Sequence, residues 1–153
     1  MSDQIRRTGL PVIMCIGFLI HVNSLQANDI AAKDAVSIMS IRYKSATEFV
    51  IDLGVHPCCY IYQDSVKLYS IRQNAEIFAE ALTRTISHTD EYFGDVEIYR
   101  EQASYLVKTK SLTGQLPPKK FDMVMEYRAC ADIGICFLPE QKTLRIENPF
   151  VFE

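Results

Sequence analysis

The sequence predicts an all-β domain built as a β-sandwich. Runs rich in β-branched and aromatic residues recur along the chain, at residues 49–55, 59–71, 98–99, 103–108, 121–127 and 142–152. Turn signals separate these runs, among them Thr113-Gly114 and Pro117-Pro118. Many short strands at this spacing are typical of a sandwich, and 153 residues with 48% hydrophobic content suit one compact core.

The first two predicted strands lie on either side of a proline. Apolar side chains occupy every second position of the first, which is the period of a half-buried strand: Phe49, Ile51, Leu53 and Val55. Pro57 ends this strand. The run over residues 59–71 is rich in aromatic and β-branched residues and is predicted as the next strand.

Residues 74–86 show a different period. Their apolar positions fit one face of a helix, although the run is short and ends in Thr-rich sequence: Ala75, Phe78, Ala79, Leu82 and Ile86. The spacing predicts a short helix here. Residues 90–94, Asp-Glu-Tyr-Phe-Gly, are predicted as a turn, with Gly94 available for a backbone angle that other residues avoid.

The N-terminus indicates export. Two arginines precede an apolar stretch over residues 10–22, and a short polar segment then leads to Ala27. A membrane anchor is the alternative, but a spanning helix needs about 20 apolar residues and this run is shorter and contains Pro11. We therefore expect a cleaved signal peptide at residues 1–27 and a mature, periplasmic domain at residues 28–153.

Charge and composition argue against several classes of protein. The net charge is −3, and the basic residues are interleaved with acidic ones, so no basic stripe for nucleic acid is present. The six glycines form no phosphate-binding loop, and no cofactor is expected. Four side chains suit zinc by type but lack paired Cys-x-x-Cys spacing, so no metal is expected either: His56, Cys58, Cys59 and His88.

Four cysteines remain once Cys15 leaves with the signal peptide, and four cysteines allow three pairings. Cys130 and Cys136 lie six positions apart, with Gly134 between them to permit a tight reversal of the backbone. Their thiols can then meet as a disulfide. Spacing alone leaves a structural bridge and a redox-active pair equally open.

Three segments carry a resemblance to a known family. Residues 126–143, Glu-Tyr-Arg-Ala-Cys-Ala-Asp-Ile-Gly-Ile-Cys-Phe-Leu-Pro-Glu-Gln-Lys-Thr, resemble the signature of the N-terminal periplasmic domain of the thiol:disulfide interchange protein DsbD. Residues 90–100 are similar to that family's cap loop and following strand, and Tyr60 and Tyr62 stand at its paired tyrosines. The resemblance extends over residues 41–146.

The resemblance implies an immunoglobulin-like sandwich and a thiol-disulfide oxidoreductase function. Electrons would come from a thioredoxin-like domain, and would pass to periplasmic disulfide isomerases or to the thioredoxins of cytochrome c maturation. A separate membrane protein is expected as the ultimate electron donor. The alternative is a non-catalytic secreted sandwich, an adaptor whose disulfide is purely structural.

The resemblance also assigns roles to residues of this sequence. It implies that Cys130 and Cys136 are the redox pair, with Cys130 attacked by the incoming thiolate. The expected cap loop covers them until a partner displaces it, and comprises Asp90, Glu91, Tyr92, Phe93 and Gly94. The family usually has phenylalanine where Tyr92 stands and tyrosine near the place of Phe93, so either ring could cover the sulfurs.

Further residues are expected around the pair. Tyr60 and Tyr62 share one face of a strand and would line the site, and the same parity would add Cys58. The carboxylates of Asp90, Glu91 and Asp132 would disfavour a thiolate by charge repulsion. Either one or both of Cys58 and Cys59 are simple buried small side chains, or Cys58 is an extra thiol able to enter the exchange.

Overall fold

The computed structural model describes residues 30–71, 75–112 and 115–152, which are almost entirely β-structure. Two 3₁₀ turns, Ala32–Asp34 and Gln63–Ser65, occur among the strands. The strands are β1 Val36–Tyr43, β2 Glu48–Val55, β3 Cys59–Tyr62, β4 Lys67–Ser70, β5 Ala75–Ala81, β6 Ile86–Asp90, β7 Gly94–Tyr99, β8 Gln102–Ser111, β9 Lys120–Tyr127, β10 Ala129–Ala131, β11 Ile135–Cys136 and β12 Glu140–Glu147. The expected signal peptide at residues 1–27 lies outside the described residues.

The strands form antiparallel sheets with the orders β1-β2-β8-β5, β11-β10-β3-β7-β6 and β12-β9-β4. The second and third sheets are continuous along the chain, because β3 leads into β4 and β9 leads into β10 through short connections. The first sheet packs against both of them, as the ring contacts Phe49–Phe121 and Tyr99–Tyr105 show. This arrangement confirms the predicted all-β sandwich.

The core lies between these layers and draws on all of them. The predicted alternation in β2 is confirmed, since Phe49, Ile51 and Leu53 are each at most 1% exposed. Met123 and Met125 of β9 meet them from the opposite layer. Each such side chain contributes about 1.5–3 kcal/mol when fully buried, so the core stabilises the platform that carries the site.

The predicted helix over residues 74–86 is wrong. Residues from Ala75 to Ala81 form β5, which pairs with β8, and Ile86 begins β6. Phe78 is 55% exposed, so the apolar spacing does not mark a buried helical face. A strand is favoured because the edge of β8 offers backbone groups that a helix would leave unpaired.

The predicted strand over residues 59–71 is interrupted. The 3₁₀ turn Gln63–Ser65 separates β3 from β4. The Ser65 hydroxyl donates to the carbonyl of Tyr62 at 2.8 Å and accepts from the backbone N–H of Arg128 at 3.0 Å. These bonds satisfy backbone groups at the break between the two sheets. Within the described ranges, we find no helix with the length and apolar character needed to cross a membrane.

Candidate functional site

A disulfide joins the two strands of the β10–β11 hairpin. Cys130 and Cys136 are directly opposite partners, bonded to each other, with Cα atoms 4.0 Å apart. Gly134 reverses the chain between them with a φ of 82°, and its N–H donates to the carbonyl of Ala131 at 3.0 Å. A left-handed angle of this kind favours glycine, as the sequence indicated.

The two cysteines differ in access. Cys130 is completely buried, at 0% exposure, whereas Cys136 is partly exposed. A thiolate must approach the sulfur that it attacks along the disulfide axis. The accessible end of the bond is therefore Cys136, whereas the resemblance implied attack at Cys130.

Two tyrosine hydroxyls and one carboxylate surround the disulfide. The Tyr62 hydroxyl lies 3.0 Å from Cys130 Sγ and 3.4 Å from Cys136 Sγ, and it donates to Asp90 Oδ2 at 2.6 Å. Tyr60 donates to the same oxygen at 2.8 Å. The strand parity that grouped these tyrosines therefore brings both hydroxyls to one oxygen of Asp90, and the Tyr62 hydroxyl also contacts the sulfurs.

Burial and hydrogen bonding shift the pKa of Asp90 in opposite directions. Burial would raise the pKa of Asp90, but bonds from both tyrosines and from two backbone N–H groups lower it to about 2. Burial, reinforced by the adjacent carboxylate, raises the pKa of Tyr62 well above its ordinary value. Asp90 is therefore ionised and Tyr62 is protonated at neutral pH.

The predicted turn, which is the expected cap, connects β6 to β7. Asp90 Oδ1 accepts the backbone N–H of Tyr92 at 2.7 Å and of Phe93 at 3.0 Å. Gly94 follows with a φ of 71°, the left-handed angle that the sequence indicated. One oxygen of Asp90 thus holds the cap backbone while the other holds the tyrosines, so the carboxylate connects cap and disulfide.

The two cap rings reach different places. The Phe93 ring packs edge-on against Tyr62 at 5.3 Å, and the Arg128 guanidinium lies over it at 5.3 Å. The Tyr92 hydroxyl donates instead to the carbonyl of Gly134, in the turn between the cysteines, at 3.3 Å. Phe93 is 51% exposed and Tyr92 is 61% exposed, so a few contacts hold the cap.

The other acidic residues of the predicted site lie at its edge. Asp132 is exposed, and its Oδ1 accepts from Arg100 at 2.6 Å, so its charge is paired. Glu91 is exposed and lies near Gly134. Among the described acidic residues, Asp90 is the one whose carboxylate lies within 4.8 Å of both disulfide sulfurs.

Sequence reasoning missed two arginines. Arg128 covers Phe93, and Arg100 lies over the Tyr60 ring at 5.1 Å while it pairs with Asp132. Both arginines fall within the segments that carry the resemblance, but a cation–aromatic contact depends on which strands are neighbours. No local pattern signals it.

The parity argument for Cys58 is wrong. Cys58 precedes β3, in the turn after Pro57, and its side chain packs with Cys59 against the main core, away from the cluster formed by Tyr60, Tyr62 and Cys130. Both thiols are free. Burial, with a contribution from Cys58, raises the pKa of the Cys59 thiol to about 12.

Clefts open on both sides of the cap. One is lined by residues that include Tyr62, Phe93 and Arg128. The other includes Tyr60, Tyr92 and Asp132 among its lining residues. A partner that approaches the disulfide meets aromatic and charged side chains on either side.

Comparison with known proteins identifies relatives of this site. Residues 27–148 match the family model "Thiol:disulfide interchange protein DsbD, N-terminal". The DsbD of Vibrio cholerae is 30% identical over 112 residues, covering 71% of this chain and 17% of that protein. The DsbD of Yersinia pestis is 28% identical over 93 residues, covering 61% of this chain. The chain spans only 14% of that relative's length.

Two solved structures share the fold. The reduced N-terminal domain of Neisseria meningitidis DsbD superposes with a TM-score of 0.63 at 15% identity, covering 77% of this chain and 89% of that one. The same domain in its complex with the N-terminal domain of PilB gives a TM-score of 0.59 at 13% identity, covering 77% and 87%.

Proposed function

The chain belongs to the family of DsbD N-terminal domains, and from this premise we propose that it is a periplasmic thiol-disulfide exchange domain acting through Cys130 and Cys136. It accepts electrons from a thioredoxin-like donor and passes them to periplasmic disulfide isomerases or cytochrome-maturation thioredoxins. The observation that carries the proposal is the disulfide itself, which lies beside the Tyr62 hydroxyl, while the half-exposed ring of Phe93 packs on Tyr62.

The reduction step begins at the accessible sulfur. A donor thiolate attacks Cys136 Sγ, the disulfide breaks, and its bonding electron pair leaves with Cys130 Sγ. A mixed disulfide then joins the donor to Cys136. The second donor thiolate attacks the donor sulfur of that bond and releases Cys136 as a thiolate. The donor dithiol becomes a disulfide, and the domain gains two electrons and two protons.

Tyr62 is suited to assist the departure of Cys130. Its hydroxyl contacts Cys130 Sγ at 3.0 Å and carries a proton at neutral pH. In the resting state this proton is directed to Asp90. When negative charge develops on Cys130, the proton can turn toward the sulfur and stabilise the leaving thiolate.

Asp90 has the opposite effect once the dithiol has formed. Its carboxylate lies within 4.8 Å of both sulfurs, and like charges this close disfavour a thiolate. The thiols are therefore held protonated and slow to react with unrelated disulfides. A docking partner that moves the cap also disturbs the hydrogen bonds that Asp90 accepts from the backbone of Tyr92 and Phe93. Binding of the partner is thereby coupled to the reactivity of the thiols.

The relatives support the choice of partner class. In Neisseria meningitidis, the DsbD N-terminal domain forms a complex with the PilB N-terminal domain. We propose by analogy that a partner domain docks over residues 90–94 here and inserts its thiolate beside Cys136. Membrane transfer of electrons belongs to a separate protein or domain.

The test is the reduction potential of the purified domain in a glutathione series, with mass spectrometry to identify the cysteines that open. We expect Cys130 and Cys136 alone to open, between about −270 and −180 mV, the range from thioredoxin to disulfide isomerase. A pair that stays closed until unfolding would support the structural-bridge alternative. Cys58→Ser is the matched control, and an unchanged rate and disulfide map would exclude Cys58 from the exchange.

A further inference from the structure

Three metal-ligating side chains meet at the turn that leads into β3. His56 Nδ1 lies 3.0 Å from Cys58 Sγ, and Cys58 Sγ lies 3.1 Å from Cys59 Sγ. All three ligand atoms lie within 4.8 Å of one another. His88, the fourth zinc candidate in the sequence, packs its ring on Tyr60 instead.

The backbone holds these ligands together. The N–H of Cys59 donates to the carbonyl of His56 at 2.8 Å, which closes a four-residue turn with Pro57 at its second position. The N–H of Asp132 donates to the carbonyl of Cys58 at 2.8 Å and ties the turn to the β10–β11 hairpin. A ligand set held in advance loses little conformational entropy when an ion binds.

The three ligands extend from the surface of the protein to its core. His56 is exposed, Cys58 is half-buried and Cys59 is 1% exposed, with both cysteines packed against the apolar core. An ion can therefore arrive at the imidazole and come to rest between the sulfurs. The apolar inner side excludes water from competing for it.

We propose that His56, Cys58 and Cys59 bind one thiophilic metal ion, cuprous copper being the ion whose preferences they match best. Two thiolates and one imidazole form a soft set of three ligands. Zinc would require a fourth ligand. Each thiol gives its proton to solvent, and the ion takes an electron pair from each sulfur and from the imidazole nitrogen.

The geometry requires only a small adjustment. Thiolates bound to one ion at about 2.3 Å stand roughly 3.8 Å apart, so the two sulfurs must separate by less than about 1 Å. Rotation about the side-chain bonds of Cys58, which is half-buried, can supply this movement. Cys59 and Tyr60 point to opposite faces of β3, so the cluster is separate from the disulfide.

The test uses the oxidised protein, because the Cys130–Cys136 disulfide then withholds both of its sulfurs. The protein is titrated anaerobically with Cu(I) in competition with bicinchoninate. We expect one Cu(I) per chain and none above background in the Cys58→Ser/Cys59→Ala double variant. His56→Asn should weaken Cu(I) binding by more than about tenfold, because even the loss of a residue that only supports a metal ligand lowers metal affinity by about that factor. His88→Asn is the matched imidazole control and should bind as the wild type does.

Failure of the wild type to retain Cu(I), or equal retention by the double variant, would overturn the proposal. Circular dichroism checks that the variant with Cys59→Ala still folds. If that variant does not fold, His56→Asn still tests the site, because it changes an exposed residue. X-ray absorption at the copper edge should show two sulfur ligands and one nitrogen, and a shell without sulfur would also refute the site. Disulfide exchange by the double variant is measured separately, so this proposal and the proposed exchange function can fail independently.

Discussion

At the scale of single residues, Asp90 connects parts of the molecule that are far apart in sequence. Its two oxygens accept four hydrogen bonds, from the hydroxyls of Tyr60 and Tyr62 and from the backbone N–H groups of Tyr92 and Phe93. Asp90 is only 6% exposed, so these bonds replace the water that an ionised carboxylate requires. In the proposed function, the same charge that accepts the cap's backbone bonds also disfavours thiolates at Cys130 and Cys136.

Tyr62→Phe tests the proposed stabilisation of the leaving thiolate. The variant removes the hydroxyl that contacts Cys130 Sγ, so we expect reduction of the disulfide to slow by about tenfold or more, the value of one hydrogen bond to a charged group. The measurement is the rate of reduction by a thioredoxin at pH 7. Tyr60→Phe is the matched control, because its hydroxyl reaches Asp90, and equal rates in the two variants would contradict the role of Tyr62.

Asp90→Asn tests the carboxylate through the pH dependence of stability. The pKa of Asp90 is about 2 in the folded protein and 3.8 as its ordinary value, so its contribution is present above pH 3.8 and is lost as the pH falls toward 2. The wild type should therefore lose about 2 kcal/mol of stability over this interval that the variant does not lose. Urea unfolding at pH 7 and at pH 2.5 measures both proteins. Equal losses of stability in the wild type and in Asp90→Asn would show that Asp90 is not the titrating group.

At the scale of elements, the cap is a half-exposed turn at the end of the paired β6–β7 hairpin. The β6–β7 hairpin supplies the cap at its turn, and β10, which carries Cys130, pairs with β11 on one side and with β3 on the other. Phe93 contacts Tyr62 with its ring, and Tyr92 contacts Gly134 with its hydroxyl. Elements with few buried contacts open at low free energy. The proposed displacement of the cap by a partner requires such an element.

Alanine variants of the two rings test which one shields the sulfurs. Phe93 packs on Tyr62 beside Cys130, whereas Tyr92 reaches the hairpin turn, so we expect Phe93→Ala to speed reduction by dithiothreitol more than Tyr92→Ala does. Stopped-flow fluorescence or thiol trapping gives the rates. Phe78→Ala, at an exposed position on β5, controls for loss of a surface ring. The reverse order of rates would assign the shielding to Tyr92.

At the scale of the whole molecule, the main core lies apart from the disulfide. The main core combines side chains of all three sheets and contains neither Cys130 nor Cys136, which belong to a separate small cluster with Tyr60, Tyr62 and Ile98. The proposed function requires a fold that persists in both oxidation states. This separation of core from redox pair meets that need.

Reduction should therefore lower stability without unfolding the domain. Closing a loop of this length restricts the unfolded chain by about 2 kcal/mol in the chain-entropy model, and we expect the reduced protein to be less stable by that amount. Urea titrations of the oxidised and reduced forms, followed by circular dichroism, give the difference. The Cys130→Ser/Cys136→Ser variant should behave as the reduced form does. Absence of a cooperative transition in either would show that the bridge holds the fold together.

Features that depend on neighbours along the chain could be predicted from the amino-acid pattern. The alternation in β2, its end at Pro57, the turn before Gly94 and the hairpin at Gly134 follow from side-chain period and backbone freedom. The pattern of cysteines and tyrosines was also sufficient to suggest the family. These features are local, so no knowledge of the register between strands was required.

Contacts between residues distant in sequence depend on how the strands pair and pack. Residues 75–81 have a helical pattern, yet they form β5 because the edge of β8 pairs with their backbone. The burial of Cys130, the contact of Arg128 with Phe93 and the meeting of His56 with the adjacent thiols depend on strand register and turn geometry. Those contacts form when the whole sandwich closes, because long-range pairing and burial outweigh the small preferences of local sequence.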